Sequence, residues 1–258
     1  MSSTKHTTHM TKLQKIVQVV DKTLDASENK EECILKLLNG LKLLHLKLLR
    51  KLSEFEEVVV NGENDLSINI RFTGKDIFST DAGDLVIIIV NRSLRLIEAY
   101  SWLITQRNFV CAEPLLRLQI DSLMRMNSTQ LFENPTWIVN CFLQDQELKK
   151  IKSKEGQSLT DRYLYTKISE IYPGLDELYK RCSASIHLSK PLLAGLIKDT
   201  STKNKTITWR VSLDSPAAQY TDEDTVSALK IFYLVTTCLI DFLNRWIDER
   251  IQARGKGI

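Results

Sequence analysis

A chain of 258 residues with 43% apolar and 26% charged residues has the composition of a soluble globular protein and excludes a largely disordered one. Nine glycines and five prolines are few for the turns of a β-sandwich or barrel, so the composition points to long helices. A net charge of +3 is too small for a protein that coats phosphates, which confines any contact with RNA to a local site.

The cysteines Cys33, Cys111, Cys141, Cys182 and Cys238 are odd in number and widely spaced, with no C-x-x-C pair. They read as reduced thiols in a cytosolic protein, with no metal site expected. The start, MSSTKHTTHMTK, lacks the apolar core of a secretion signal; residues 1–10 are expected to be a loose arm and the protein cytoplasmic.

Residues 31–56, EECILKLLNGLKLLHLKLLRKLSEFE, gather Lys36, Lys47, Arg50 and Lys51 on one side when wound at about 100° per residue. Leu37, Leu38, Leu41, Leu44, Leu48, Leu49 and Leu52 cover a much wider arc, which predicts a helix buried in protein rather than one lying on a membrane. His45 stands in that arc without a second ligand and reads as a core histidine bonded to a carbonyl. Residues 57–80 differ: β-branched residues, Asn61-Gly62 and alternation through Leu66, Ile68 and Ile70 predict a hairpin or extended excursion. Asp81 or Asp84 then caps an apolar helix through LVIIIVNRSLRLIEAYSWLI.

The stretch from Arg107 to Met126 again has helical spacing, with Pro114 at a first turn or a kink. Within it Arg117 and Asp121 stand four apart and share a face. A helix is predicted from Pro135 to Lys150, followed by IKSKEGQSLTDR as a mobile loop or solvated linker. After YLYTKISEIY, Pro173-Gly174 breaks the chain, and LDELYKRCSASIHL resumes a helix expected to end near Ser189-Lys190-Pro191. KTITWRVSL, 205–213, predicts a strand able to pair with the earlier excursion.

A last helix starts at Thr221 or Asp222, has acids in its first turn and basic residues before Gly255, and so suits the helix dipole at both ends. Its apolar stretch from Val226 to Leu243 contains Lys230 and Asp241, whereas a span needs about 20 apolar residues; it predicts a core helix and no membrane contact. With no repeat and no clear linker, residues 11–258 are expected to form one all-α domain of seven or eight helices with a small extended insertion.

P-loop, G-x-G-x-x-G, H-E-x-x-H and G-x-S-x-G signatures are absent from the sequence, so no cofactor or metal is expected. Chemistry is left to a sparse set of side chains, and LYKRCSASIHLSKP, residues 178–191, holds an arginine six positions before a histidine. That pair resembles the R-x(4–6)-H motif of the HEPN superfamily. RNFVCAEPLLRLQIDSLMRM followed by YKRCSASIHLSKP also resembles bacterial helical proteins of the abortive-infection type, over about residues 84–250. The resemblance implies a HEPN-like bundle and a metal-independent RNA endonuclease, a toxin of phage defence or of a toxin–antitoxin pair. It further implies a homodimer whose cleft joins two motifs, with an antitoxin or defence protein as partner.

In that frame His187 acts as general base or acid on the ribose 2′-hydroxyl or leaving oxygen, and Arg181 binds the scissile phosphate. Arg117 and Asp121 match the family's polar helix positions and orient them. Six residues of straight helix put Arg181 and His187 about 9 Å and 120° apart. Either the helix ends before His187, or the site is completed across two subunits. The alternative is a non-catalytic helical module that binds a protein, peptide or nucleotide, since fold does not imply function.

Overall fold

The computed structural model describes residues 30–53, 57–60, 68–71, 81–186, 197–203, 206–211 and 220–255. Among the described residues seven α-helices carry the fold: α1 (Lys30–Ser53), α2 (Asp81–Thr105), α3 (Phe109–Ser128), α4 (Pro135–Leu143), α5 (Asp161–Ile171), α6 (Leu175–Ile186) and α7 (Asp222–Gly255). The class is all-α. Among the described residues, strands β1 (Glu57–Val60) and β2 (Ile68–Arg71), and β3 (Ile197–Lys203) and β4 (Thr206–Val211), pair antiparallel.

Helix α3 lies at the centre, packed against α2, α5, α6 and α7, while α1 lies along α7. Its inward residues Ala112, Leu116, Ile120, Leu123 and Met124 are buried. The α2–α3 corner is tight because Arg107 adopts a left-handed φ of 53°. There Asn108 N–H donates to Leu103 O at 2.8 Å and Arg107 N–H to Ile104 O at 2.9 Å, which closes the last turn of α2. Asn108 then caps α3, its side chain accepting from Cys111 N–H at 3.3 Å. A corner this short folds α2 back along α3.

On α1, Leu37 and Leu41 are buried and Leu38 and Leu44 partly so, as the leucine arc predicts, while the side chains of Leu48, Leu49 and Leu52 lie outside the described residues. Cys33 is also buried, and Leu35, Leu43 and Leu46, which are not in the arc, are exposed. The side chain of His45 lies outside the described residues. At the α1–α7 contact Gly40 admits the ring of Tyr233: a Cβ at Gly40 would stand 2.9 Å from Tyr233 Cε2. Helix α7 opens with a reciprocal cap, Asp224 N–H donating to Thr221 Oγ1 at 3.2 Å and Thr221 N–H to Asp224 Oδ2 at 2.8 Å. By length and composition α7 could cross a membrane; its Leu229, Phe232, Val235, Leu239, Leu243 and Ile247 are buried in the helical core.

Two local expectations are corrected. The helix predicted from Pro135 to Lys150 stops at Leu143, because Asp145 takes a left-handed φ of 52° and Gln146 N–H turns back to Cys141 O at 2.9 Å. A short 3₁₀ turn, Leu148–Lys150, follows. The stretch from Ile151 is, as expected, a mostly exposed loop; it is anchored by the buried Ile151, Ser153 and Leu159, and Lys152 bridges Ser158 across a turn with Gly156 at φ 76°. The strand in 205–213 is β4, which pairs with β3 rather than with the earlier hairpin, because a neighbouring strand needs only a tight turn to reach it. The end expected near Ser189-Lys190-Pro191 falls outside the described residues; α6 is described to Ile186.

Candidate functional site

On α3, Arg117, Asp121 and Arg125 recur every four residues and share a stripe. Asp121 is buried. Its Oδ2 accepts from Arg92 Nη1 on α2 at 3.3 Å, and its Oδ1 from Arg125 Nε at 3.1 Å. Arg125 Nη2 and Arg117 Nη1 lie 3.0 and 3.5 Å from that same Oδ1. Three guanidinium groups thus converge on one carboxylate.

Asp161 answers from α5. It is the first residue of that helix, where a carboxylate suits the helix dipole, and Thr160 fixes the entry by accepting from Tyr163 N–H at 3.2 Å. Asp161 Oδ2 lies 3.1 Å from Arg117 Nη2, and Oδ1 3.5 Å from Arg125 Nη2. Tyr179 on α6 donates to Asp161 Oδ2 at 2.7 Å and accepts from Arg117 Nη2. The Arg117 guanidinium also lies 4.4 Å over the Tyr179 ring. Burial, followed by the hydrogen bond to Asp161, pushes the Tyr179 hydroxyl well above its ordinary range, so it stays a donor at neutral pH. Beyond it Tyr165 meets the Tyr179 ring at 5.2 Å, and Lys180 Nζ lies 5.3 Å over Tyr165.

The cluster therefore joins α2, α3, α5 and α6 through two carboxylates, three guanidiniums and a phenol. Further along α6, Cys182 is buried and its thiol is pushed up to about 11, chiefly by burial. It remains protonated at neutral pH and is a poor nucleophile. The charges of Arg181 and Arg117 both act on this thiol and oppose the effect of burial. Tyr100, on α2, donates to Ala228 O of α7 at 3.1 Å and stacks on Phe232 at 4.0 Å.

The structure brings Arg117 and Asp121 together as their spacing implies. Arg181 is exposed on α6, between the buried residues Tyr179 and Cys182. His187 lies outside the described residues. Sequence reasoning passed over Arg92, Arg125, Asp161 and Tyr179. Arg125 carries a local signal, since it follows Asp121 at the same spacing as Arg117 precedes it; the other three arrive from other elements. Among the described residues no group of three or more His, Cys, Asp and Glu side chains converges as a metal site. Compared with protein-family models, with curated proteins and with solved structures, the chain matches none.

Proposed function

We propose that this protein is a metal-independent RNA endonuclease of the HEPN type, a cytoplasmic toxin of phage defence or of a toxin–antitoxin pair. In this reading His187 takes the proton of a ribose 2′-hydroxyl, whose oxygen attacks the adjoining phosphorus, and returns a proton to the departing 5′-oxygen. Arg181 holds the phosphate and meets the charge that builds on its oxygens. The observation that carries the reading is Arg181 itself: it reaches solvent from a helix whose inner face is fixed by Arg117, Tyr179 and Asp161. A cation held on a rigid element is what phosphate positioning requires.

Arg117 and Asp121 serve as positioning residues, acting through the seat of α6 on α3. The test is growth on expression of the full chain in a bacterial host. Growth arrest by wild type that is lost with His187→Ala and with Arg181→Ala is expected; equal arrest by all three proteins would contradict the assignment.

A second reading, a non-catalytic interaction module, is favoured by α1. Leu35, Leu43 and Leu46 are exposed and lie within about 80° of one another around the helix. If binding is the whole function, arrest or partner capture depends on these leucines and not on His187.

A further inference from the structure

The arginine–aspartate cluster carries an unbalanced charge. Arg92, Arg117 and Arg125 face Asp121 and Asp161 within 3.5 Å, three cations against two anions. Arg117 is committed, with both Nη atoms on carboxylates and its plane on Tyr179. Arg92 gives Asp121 one N–H, from Nη1, and Arg125 gives Nε and Nη2. Among the described residues, the remaining donors, Nε and Nη2 of Arg92 and Nη1 of Arg125, have no protein acceptor. The two side chains meet the two oxygens of one carboxylate, so both guanidiniums stand beside Asp121.

Exposure marks the open side. The Asp121 side chain is 10% exposed, while Arg125 is 25% and Arg92 36% exposed. Arg92 keeps Nε and Nη2 on one edge of its guanidinium and can offer an oxyanion two parallel N–H groups at once, to which Arg125 adds Nη1.

We propose that Arg92 and Arg125 form a binding site for a phosphoryl group, on the α2–α3 side of the cluster and separate from Arg181. The site does not depend on the ribonuclease reading. The phosphoryl group belongs either to a nucleic-acid backbone or to a small phosphorylated molecule, and both present the same oxygens to the two arginines.

The probe is inorganic phosphate, compared with chloride at equal ionic strength and pH, with thermal unfolding of the full chain as readout. Wild type should gain a saturable rise in Tm of about 3 to 5 °C. Arg92→Gln and Arg125→Gln should each lose it, whereas Arg245→Gln, in the separate Tyr172–Asp241–Arg245 cluster, should keep it. Phosphorus NMR line broadening, read well below the unfolding temperature, gives the same comparison for any variant of low stability. Equal rises in wild type and Arg92→Gln, or none in wild type, would overturn the site. A short oligoribonucleotide distinguishes the sources: binding that phosphate displaces and Arg92→Gln weakens at least tenfold assigns the site to the nucleic-acid backbone. Phosphate binding without oligoribonucleotide binding assigns it to a small phosphorylated molecule.

Discussion

Asp121 is the residue on which the cluster turns. An isolated exposed pair such as Arg95–Glu98, with both side chains over three-quarters exposed, contributes at most about 0.5 kcal/mol. Asp121 differs because it is buried and serves three guanidiniums, which repel one another once its charge is removed. Asp121→Asn should therefore cost about 3 kcal/mol in urea unfolding, against about 0.5 or less for Arg95→Ala; equal losses would show the cluster to be solvated ornament. Cys182 sets a pH limit. Its thiol titrates near 11 in the fold against an ordinary value of 9.0, so between those values the folded state holds more protons than the unfolded one. The stabilisation is fully present below about pH 9 and is lost as pH rises to about 11. Tyr100, Tyr172 and Tyr179, all raised chiefly by burial, act in the same direction. Unfolding free energy measured from pH 8 to 11 should fall in wild type and fall less in Cys182→Ala; a flat wild-type profile would contradict this. At this scale the sequence discloses the Arg117–Asp121 pair, because i,i+4 spacing is local. Arg92, Asp161 and Tyr179 stay hidden in it, since only tertiary packing brings them to α3.

Elements were legible where their signals are local. The Thr221 cap of α7 and the β1–β2 hairpin follow from side-chain chemistry and β-branched alternation. The end of α4 does not, because Asp145 rather than glycine takes the left-handed turn. Nor does the partner of β4, which depends on β3, a strand whose polar residues Asp199, Thr200 and Ser201 give no periodic signal. The α1–α7 contact supplies a test of packing. Alanine is the better helix former by about 1 kcal/mol, yet a methyl at Gly40 meets Tyr233 Cε2 at 2.9 Å. Overpacking of about 1 to 3 kcal/mol outweighs that gain, so Gly40→Ala should lower Tm. In a Tyr233→Leu background the same change should become neutral or stabilising, and a double-mutant cycle without coupling would show that the two do not touch.

For the whole molecule, α3 is both the core helix and the carrier of the charged stripe, so burial and polar chemistry are fixed by one element. Its apolar face packs in the core, and its Arg117–Asp121–Arg125 stripe seats α2, α5 and α6. The all-α class was readable because apolar periodicity persists over long segments with few glycines and prolines. The arginine–aspartate cluster was readable only in part, through the local spacing of Arg117 and Asp121. The central claim is that the Arg181–His187 motif cleaves RNA without a metal. Incubation of purified protein with RNA in excess EDTA, comparing wild type with His187→Ala and Arg181→Ala, addresses it most directly. Cleavage by wild type that falls at least a hundredfold in both variants is the predicted result; cleavage unchanged in the variants, or none by folded wild type across several RNAs, would contradict it.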